Sequence, residues 1–130
     1  MKFWCVILAL LLFCGCTPKP SSQKKAMLDL KILGLEYHNV VSSGFIPQTP
    51  EQLSERSQEA SNVIADGNYV MLCGLNLKES TEPTSSIIIG YHKDTPQLGG
   101  YALYGDGSVD LLTKSEFDAA VKFSPEKKTE

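Results

Sequence analysis

Residues 24–41, KKAMLDLKILGLEYHNVV, carry the clearest helical period in the chain. Met27, Leu30, Gly34, Tyr37 and Val41 recur at spacings of three and four. Leu28, Ile32, Leu35 and Asn39 form an adjoining stripe, so the apolar face is wide, as for a helix packed across a sheet. Lys25, Asp29, Lys31 and Glu36 supply the polar side. Gly34 costs about 1 kcal/mol relative to Ala in a helix interior. Close approach of a strand at that point would offset this. Gly44 after Ser42-Ser43 is the expected left-handed stop.

Downstream, Pro47 and Pro50 forbid a continuing helix. Thr49-Pro50-Glu51-Gln52 reads as a capping box opening a second helix, Pro50 to about Ala60, with Leu53 as its main apolar contact. Asp66-Gly67 is a turn signal. Tyr69 to Leu77 is apolar at both alternations, which predicts a central strand, and Ser86 to Tyr91 predicts a second. Asp106-Gly107 between two apolar runs predicts a two-residue hairpin. Pairing Gly105 with Ser108 would set Tyr104 opposite Val109 and Ala102 opposite Leu111. Those four residues would share one face, with Tyr101, Leu103, Asp110 and Leu112 on the other. Thr113-Lys114-Ser115-Glu116 is a further capping box and opens a helix from Lys114 to about Phe123, with Phe117, Ala120 and Val121 inward. These elements predict an α+β fold: an N-terminal helix packed on a small antiparallel sheet, with a short C-terminal helix.

The segment before residue 24 decides location. Lys2 precedes an unbroken apolar run, Phe3 to Phe13. A membrane span needs about 20 apolar residues, so this run fits a secretory signal instead. Its end, Leu12-Phe13-Cys14-Gly15-Cys16, resembles a bacterial lipoprotein signal: a small residue, Gly15, then the cysteine. The resemblance implies a diacylglyceryl group on the Cys16 thiol, a further acyl chain such as palmitate, and cleavage before Cys16. Two or more acyl chains give durable anchoring where one is marginal. The expected organisation is a signal peptide over 1–15, the lipidated Cys16 with a flexible tether over 16–23, an α+β domain over 24–123 and a disordered tail over 124–130. The tether sequence TPKPSSQ would hold the domain roughly 20 Å from the lipid at about 3.1 Å per residue. An ordinary cleaved signal, giving a secreted and unanchored domain, is the alternative.

Of four cysteines, Cys5 and Cys14 leave with the signal and Cys16 is acylated, so Cys73 has no partner. Its setting, YVMLCGL, predicts burial. His38 and Asn39 read as a polar pair hydrogen-bonding backbone near the helix end. Asp106 reads as turn chemistry, since one carboxylate cannot supply the six to eight oxygens of a calcium site. The formal charge of -3 and pI near 5.4 argue against nucleic acid as a partner. G-x-S-x-G, H-E-x-x-H, a phosphate loop and Cys/His metal spacing are all missing from the sequence. No cofactor, metal or enzymatic activity is therefore expected. The alternative is an envelope ligand-binding protein or enzyme with an unrecognised site. His38 and His92 could meet in space, though a catalytic role would need a third orienting group. A pocket between the helix and the loop at 93–98 would favour this alternative.

Two stretches resemble a large prepilin-like family of unknown function, abundant in planctomycete-type bacteria. The first is Leu30-Lys31-Ile32-Leu33-Gly34-Leu35-Glu36-Tyr37-His38-Asn39 followed by Pro47; the second is Gly99-Gly100-Tyr101-Ala102-Leu103-Tyr104-Gly105-Asp106-Gly107-Ser108-Val109. The resemblance implies a pilin-like, pseudopilin-like domain and offers no catalytic residues to carry over. Family members begin with a long apolar filament helix, where this chain has the Cys16 signal. The combined expectation is a lipid-anchored cell-envelope protein, a non-catalytic structural or interaction module, on the periplasmic face or outer membrane. Its partners would be the membrane and another envelope protein.

Overall fold

The computed structural model describes residues 20–80 and 82–124. The expected signal, Cys16, the start of the tether and the tail beyond Ser124 lie outside the described residues. The long helix, α1, spans Pro20–Ser42. It begins four residues before Lys24, so residues 20–23 are helical where a tether was expected. Ala26, Leu30, Leu33, Tyr37, Val40 and Val41 are buried. Of the expected Met27/Leu30/Gly34/Tyr37/Val41 stripe, the last four are buried and Met27 is half-buried. The second stripe lies on its other flank, through Ala26, Leu33 and Val40, while Leu28 and Leu35 face solvent.

Two short helices follow, α2 (Pro50–Arg56) and α3 (Gln58–Ala65), where one was expected. Thr49 caps α2 through the Gln52 N–H, but the Gln52 side chain accepts from the Gln48 N–H rather than closing the box. Ser57 causes the division. Its backbone is extended, its N–H closes α2 on the Leu53 carbonyl, and its hydroxyl oxygen accepts from the Ala60 N–H to start α3. The same hydroxyl donates to Glu36 on α1 at 2.8 Å. Leu53, Ala60 and Val63 are buried in the core with the α1 face.

The sheet contains β1 (Tyr69–Met71), β2 (Ile87–His92), β3 (Gly100–Tyr104), β4 (Val109–Leu112) and β5 (Val121–Lys122). The order β1-β2-β3-β4 is antiparallel throughout, and β5 runs parallel to β2. A single helical turn, α4 (Thr95–Leu98), interrupts the expected 92–100 loop. The last helix, α5, is only Lys114–Ala119, and its Thr113/Glu116 capping box forms both bonds. Residues 121–122 make β5 instead of extending α5, which leaves Val121 exposed.

The expected central strand over 69–77 is a three-residue edge strand. Its last ladder bond runs from the Leu72 N–H to the Ile89 carbonyl at 2.7 Å. Beyond that, β5 occupies the edge of β2, with the Phe123 N–H on the Ile88 carbonyl at 2.9 Å. Displaced from the sheet, residues 73–75 turn at Gly74 (φ 109°), with Cys73 and Leu75 still buried. The Tyr37 hydroxyl reaches in to donate to the Leu75 carbonyl at 2.6 Å, satisfying backbone that no strand pairs.

The hairpin register differs by one residue from the expectation. Leu103 faces Val109 and Ala102 faces Asp110. The loop holds three residues, Gly105 to Gly107, closed by Tyr104 N–H to Ser108 O and Gly107 N–H to Tyr104 O, both 2.9 Å. Gly105 is unavailable to pair with Ser108 because its N–H bonds the Ile87 carbonyl of β2. Gly107, at φ 90°, supplies the left-handed residue that such a loop uses. Since side chains alternate, the slip changes which residues of the two strands share a face. Tyr101, Leu103 and Val109 meet the α1 core, and Ala102, Tyr104 and Leu112 meet a second cluster around Ile88 and Phe117 beneath α5. Gly34 is the point of closest approach. A methyl there would lie 2.7 Å from the Leu103 Cδ1 and 3.4 Å from the Gly107 Cα.

Candidate functional site

The first turns of α1 meet the open ends of β2, β3 and β4 around a cleft of about 800 Å³. Ala26 and Gln23 form its helical wall, Tyr101 and Leu111 line the sheet side, and Leu98 stands at the lip. His92, Asp94 and Lys114 add polar groups. The local sequence explains the shape. Gly99, at φ 74°, ends α4, and a side chain there would strike the Leu112 carbonyl at 2.8 Å. A Cβ on Gly100 would meet the Thr95 hydroxyl at 2.7 Å. The Gly99-Gly100 pair thus lets the α4 turn lie directly on the sheet end, and Leu98 is held out 80% exposed.

One wall continues into a polar chain. The His92 Nδ1 accepts the Asp94 N–H at 3.2 Å and lies 3.8 Å from the Asp94 carboxylate. In the neutral ring this places the proton on Nε2. The His92 ring stands edge-on to Tyr69, centroids 5.6 Å apart. The Tyr69 hydroxyl donates to Asp29 at 2.6 Å, and Lys25 bridges Asp29 (2.6 Å) and Asp66 (3.3 Å). Burial and the Asp29 carboxylate beside it push the Tyr69 phenol well above its ordinary range. Asp29 raises Lys25 as well. These groups hold α1 against the Asp66–Tyr69 corner. A nucleophile is missing from this arrangement. Of the threonine hydroxyls nearby, Thr113 in the cleft lining accepts from the Glu116 N–H at 3.1 Å as a helix cap, and Thr95 is fully buried and donates to the Tyr101 carbonyl at 3.2 Å.

The residues singled out in the sequence fall elsewhere. His38 and His92 do not meet. His38 donates from Nε2 to the Gly105 carbonyl at 2.8 Å, at the hairpin tip. The Gly105 N–H bonds Ile87, whereas His92 ends β2 five steps on, roughly 17 Å away at the usual strand rise. His38 thus bonds backbone, but backbone 67 residues distant in sequence rather than near the helix end. Asn39 is exposed. Asp106 accepts from the Ser108 hydroxyl (2.6 Å) and N–H (3.0 Å), which lowers its carboxyl pKa with a smaller contribution from His38. It is turn chemistry. Among the described residues, no group of three or more His, Cys, Asp or Glu could hold a metal ion.

Cys73 is buried and unpaired among the described residues, and burial pushes its thiol up to about 12. A thiol that is protonated at neutral pH is a poor nucleophile. In native protein Cys73 should resist a thiol-reactive dye at pH 8 and label at once in denaturant. Native labelling at the denatured rate would contradict the buried setting. Because its folded pKa lies above the ordinary 9.0, the stability it contributes is full below about pH 9 and declines as pH rises toward 12.

The cleft lies between α1 and the 93–98 loop, where a pocket was the condition for ligand binding, with Asp94 and Leu98 in its lining, and it extends further over the ends of β3 and β4. A second depression of about 520 Å³, including Ile46, Gly74, Glu79 and Phe123, lies where β5 meets the 73–75 turn. Comparison of the chain with protein-family models, with curated proteins and with solved structures finds no match.

Proposed function

We propose that the chain is a lipid-anchored cell-envelope protein whose pilin-like α+β domain is a non-catalytic interaction module, with the cleft end as its interaction face. The observation that carries this reading is where the cleft lies. Gln23 and Ala26 of α1 form its wall, so the face sits beside the point where the chain leads back toward Cys16. A long helix laid across an antiparallel sheet is consistent with a pilin-like arrangement, here joined to a lipid in place of a filament helix. No helix among the described residues is long and apolar enough to cross a membrane. In this reading the anchor is the acylated Cys16. The Cys16→Ser protein should leave the membrane fraction for the soluble one, and unchanged partition would sink the anchor reading. The mass of the mature N-terminus separates acylation at Cys16 from an ordinary cleaved signal.

The cleft also favours a second reading, an envelope ligand-binding protein. Its volume lies within the range of small-molecule sites, about 300–1,000 Å³. A saturable rise in melting temperature with a soluble ligand, in protein free of lipid, would support that reading.

A further inference from the structure

We infer that the cleft end of the domain is a membrane-seating surface, with Leu98 and Leu111 entering the boundary between lipid headgroups and acyl chains. The inference rests on the anchor reading above and names the partner of the same face: a bilayer containing anionic lipid.

Three observations converge on it. The first is exposure. Leu98 is 80% and Leu111 56% exposed, both at the cleft, whereas the other apolar side chains of β4, Val109 and Leu112, are half-buried. Leu98 sits at the end of a single helical turn that Gly99 closes at φ 74°. The second is charge. Lys114 lines the cleft and is exposed, though paired with Asp118 at 2.8 Å, and Lys24 and Lys93, each next in sequence to a lining residue, are exposed as well. These amines are the groups that would meet headgroup phosphates while the leucines reach lower. Asp94 is the acidic residue of the lining, and it stands beside His92. The third is reach. From Cys16 to Pro20 the chain advances four residues, at most about 14 Å when fully extended. An acylated Cys16 would keep the start of α1, and the cleft beside it, that close to the lipid. The other exposed side chains of this kind, Leu28 and Leu35 on the outer face of α1 and Val121 on β5, are not part of the cleft.

The arrangement is that of an interfacial anchor: apolar side chains entering about 5–10 Å beneath a cationic rim. Neither leucine alone would hold a protein on a membrane. With a lipid already attached, they fix the orientation, setting the sheet ends down and the hairpin tip away from the surface.

The test uses the full-length protein in vesicles of phosphatidylcholine and phosphatidylglycerol with brominated acyl chains. The natural tryptophan is removed by Trp4→Phe, and single reporters are placed as Leu98→Trp, Leu111→Trp and Leu35→Trp. All three positions are exposed, and circular dichroism checks that each variant folds. The expected result is quenching of at least half the fluorescence at 98 and 111, with little at 35. Equal quenching at all three, or none at 98 and 111, overturns the surface. So does a stable dimer that shields 98 and 111 without lipid, which would give this face to a second copy. The mass of the N-terminus is measured on the same sample. If Cys16 carries no lipid, the anchor reading fails. The surface is then judged separately by adding vesicles to that protein: quenching at 98 and 111 upholds it, and its absence overturns it.

Discussion

Gly34→Leu is expected to destabilise the domain by about 3 kcal/mol or more, the upper end of the cost of overpacking a core. For a domain of this size that is a fall of roughly 10–20 °C in melting temperature. A Cβ alone would sit 2.7 Å from the Leu103 Cδ1 and 3.4 Å from the Gly107 Cα. Leu103 is fully buried, and Gly107 is backbone at the hairpin tip, so neither can retreat cheaply. His38, one turn along, holds the same tip through the Gly105 carbonyl. Relief would require α1 and the hairpin to separate. Thermal melting of the purified domain is the measurement, and an unchanged midpoint would falsify the packing described here.

Leu103→Ala is expected to cost about 3–5 kcal/mol, within the range for removing a fully buried leucine side chain. Leu103 lies between two glycines, with one methyl toward Gly34 and the other 3.5 Å from a Cβ built on Gly90. Both glycines leave room for this side chain. The effect of a second change should therefore reverse sign. In the natural background Gly34→Ala gains helix propensity, worth up to about 1 kcal/mol, but collides with Leu103. With Leu103→Ala the collision is gone, so adding Gly34→Ala should restore stability. Chemical denaturation of the two single variants and the double variant measures the coupling. Strict additivity would mean that the two positions do not touch.

The helix was legible because its period is local, and Gly34 was legible because a glycine inside a helix is costly without a compensating contact. The flank of the apolar stripe was misread. Leu28 and Leu35 are as apolar as Leu33 and Val40, but at 3.6 residues per turn they stand opposite the Leu30/Tyr37/Val41 stripe, whereas Leu33 and Val40 lie beside it and are buried. Asp106-Gly107 marked the hairpin correctly and misplaced its register. The deciding bond, Gly105 N–H to Ile87, comes from a strand outside the hairpin. The apolar run 69–77 suggested a central strand, yet its place along β2 is partly taken by β5, a two-residue strand too short to show a pattern. The place of the cleft, between α1 and the 93–98 loop, could be named from the sequence only as a condition, because its walls come from α1, β2, α4, β4 and α5 together.

The parallel strand β5 has a consequence for how the chain can fold as it is made. Leu103 and Gly107, which meet Gly34, lie about 70 positions after it in the chain. The bond from Phe123 to Ile88 waits until nearly the last described residue. Ribosomes deliver the N-terminus first, so α1 can meet α2 and α3 early, while the part of its face that packs on β3 stays uncovered until the hairpin is made. Such a face is what a holding chaperone recognises. The bond that joins β5 to β2 is among the last contacts of the described domain that the growing chain can make.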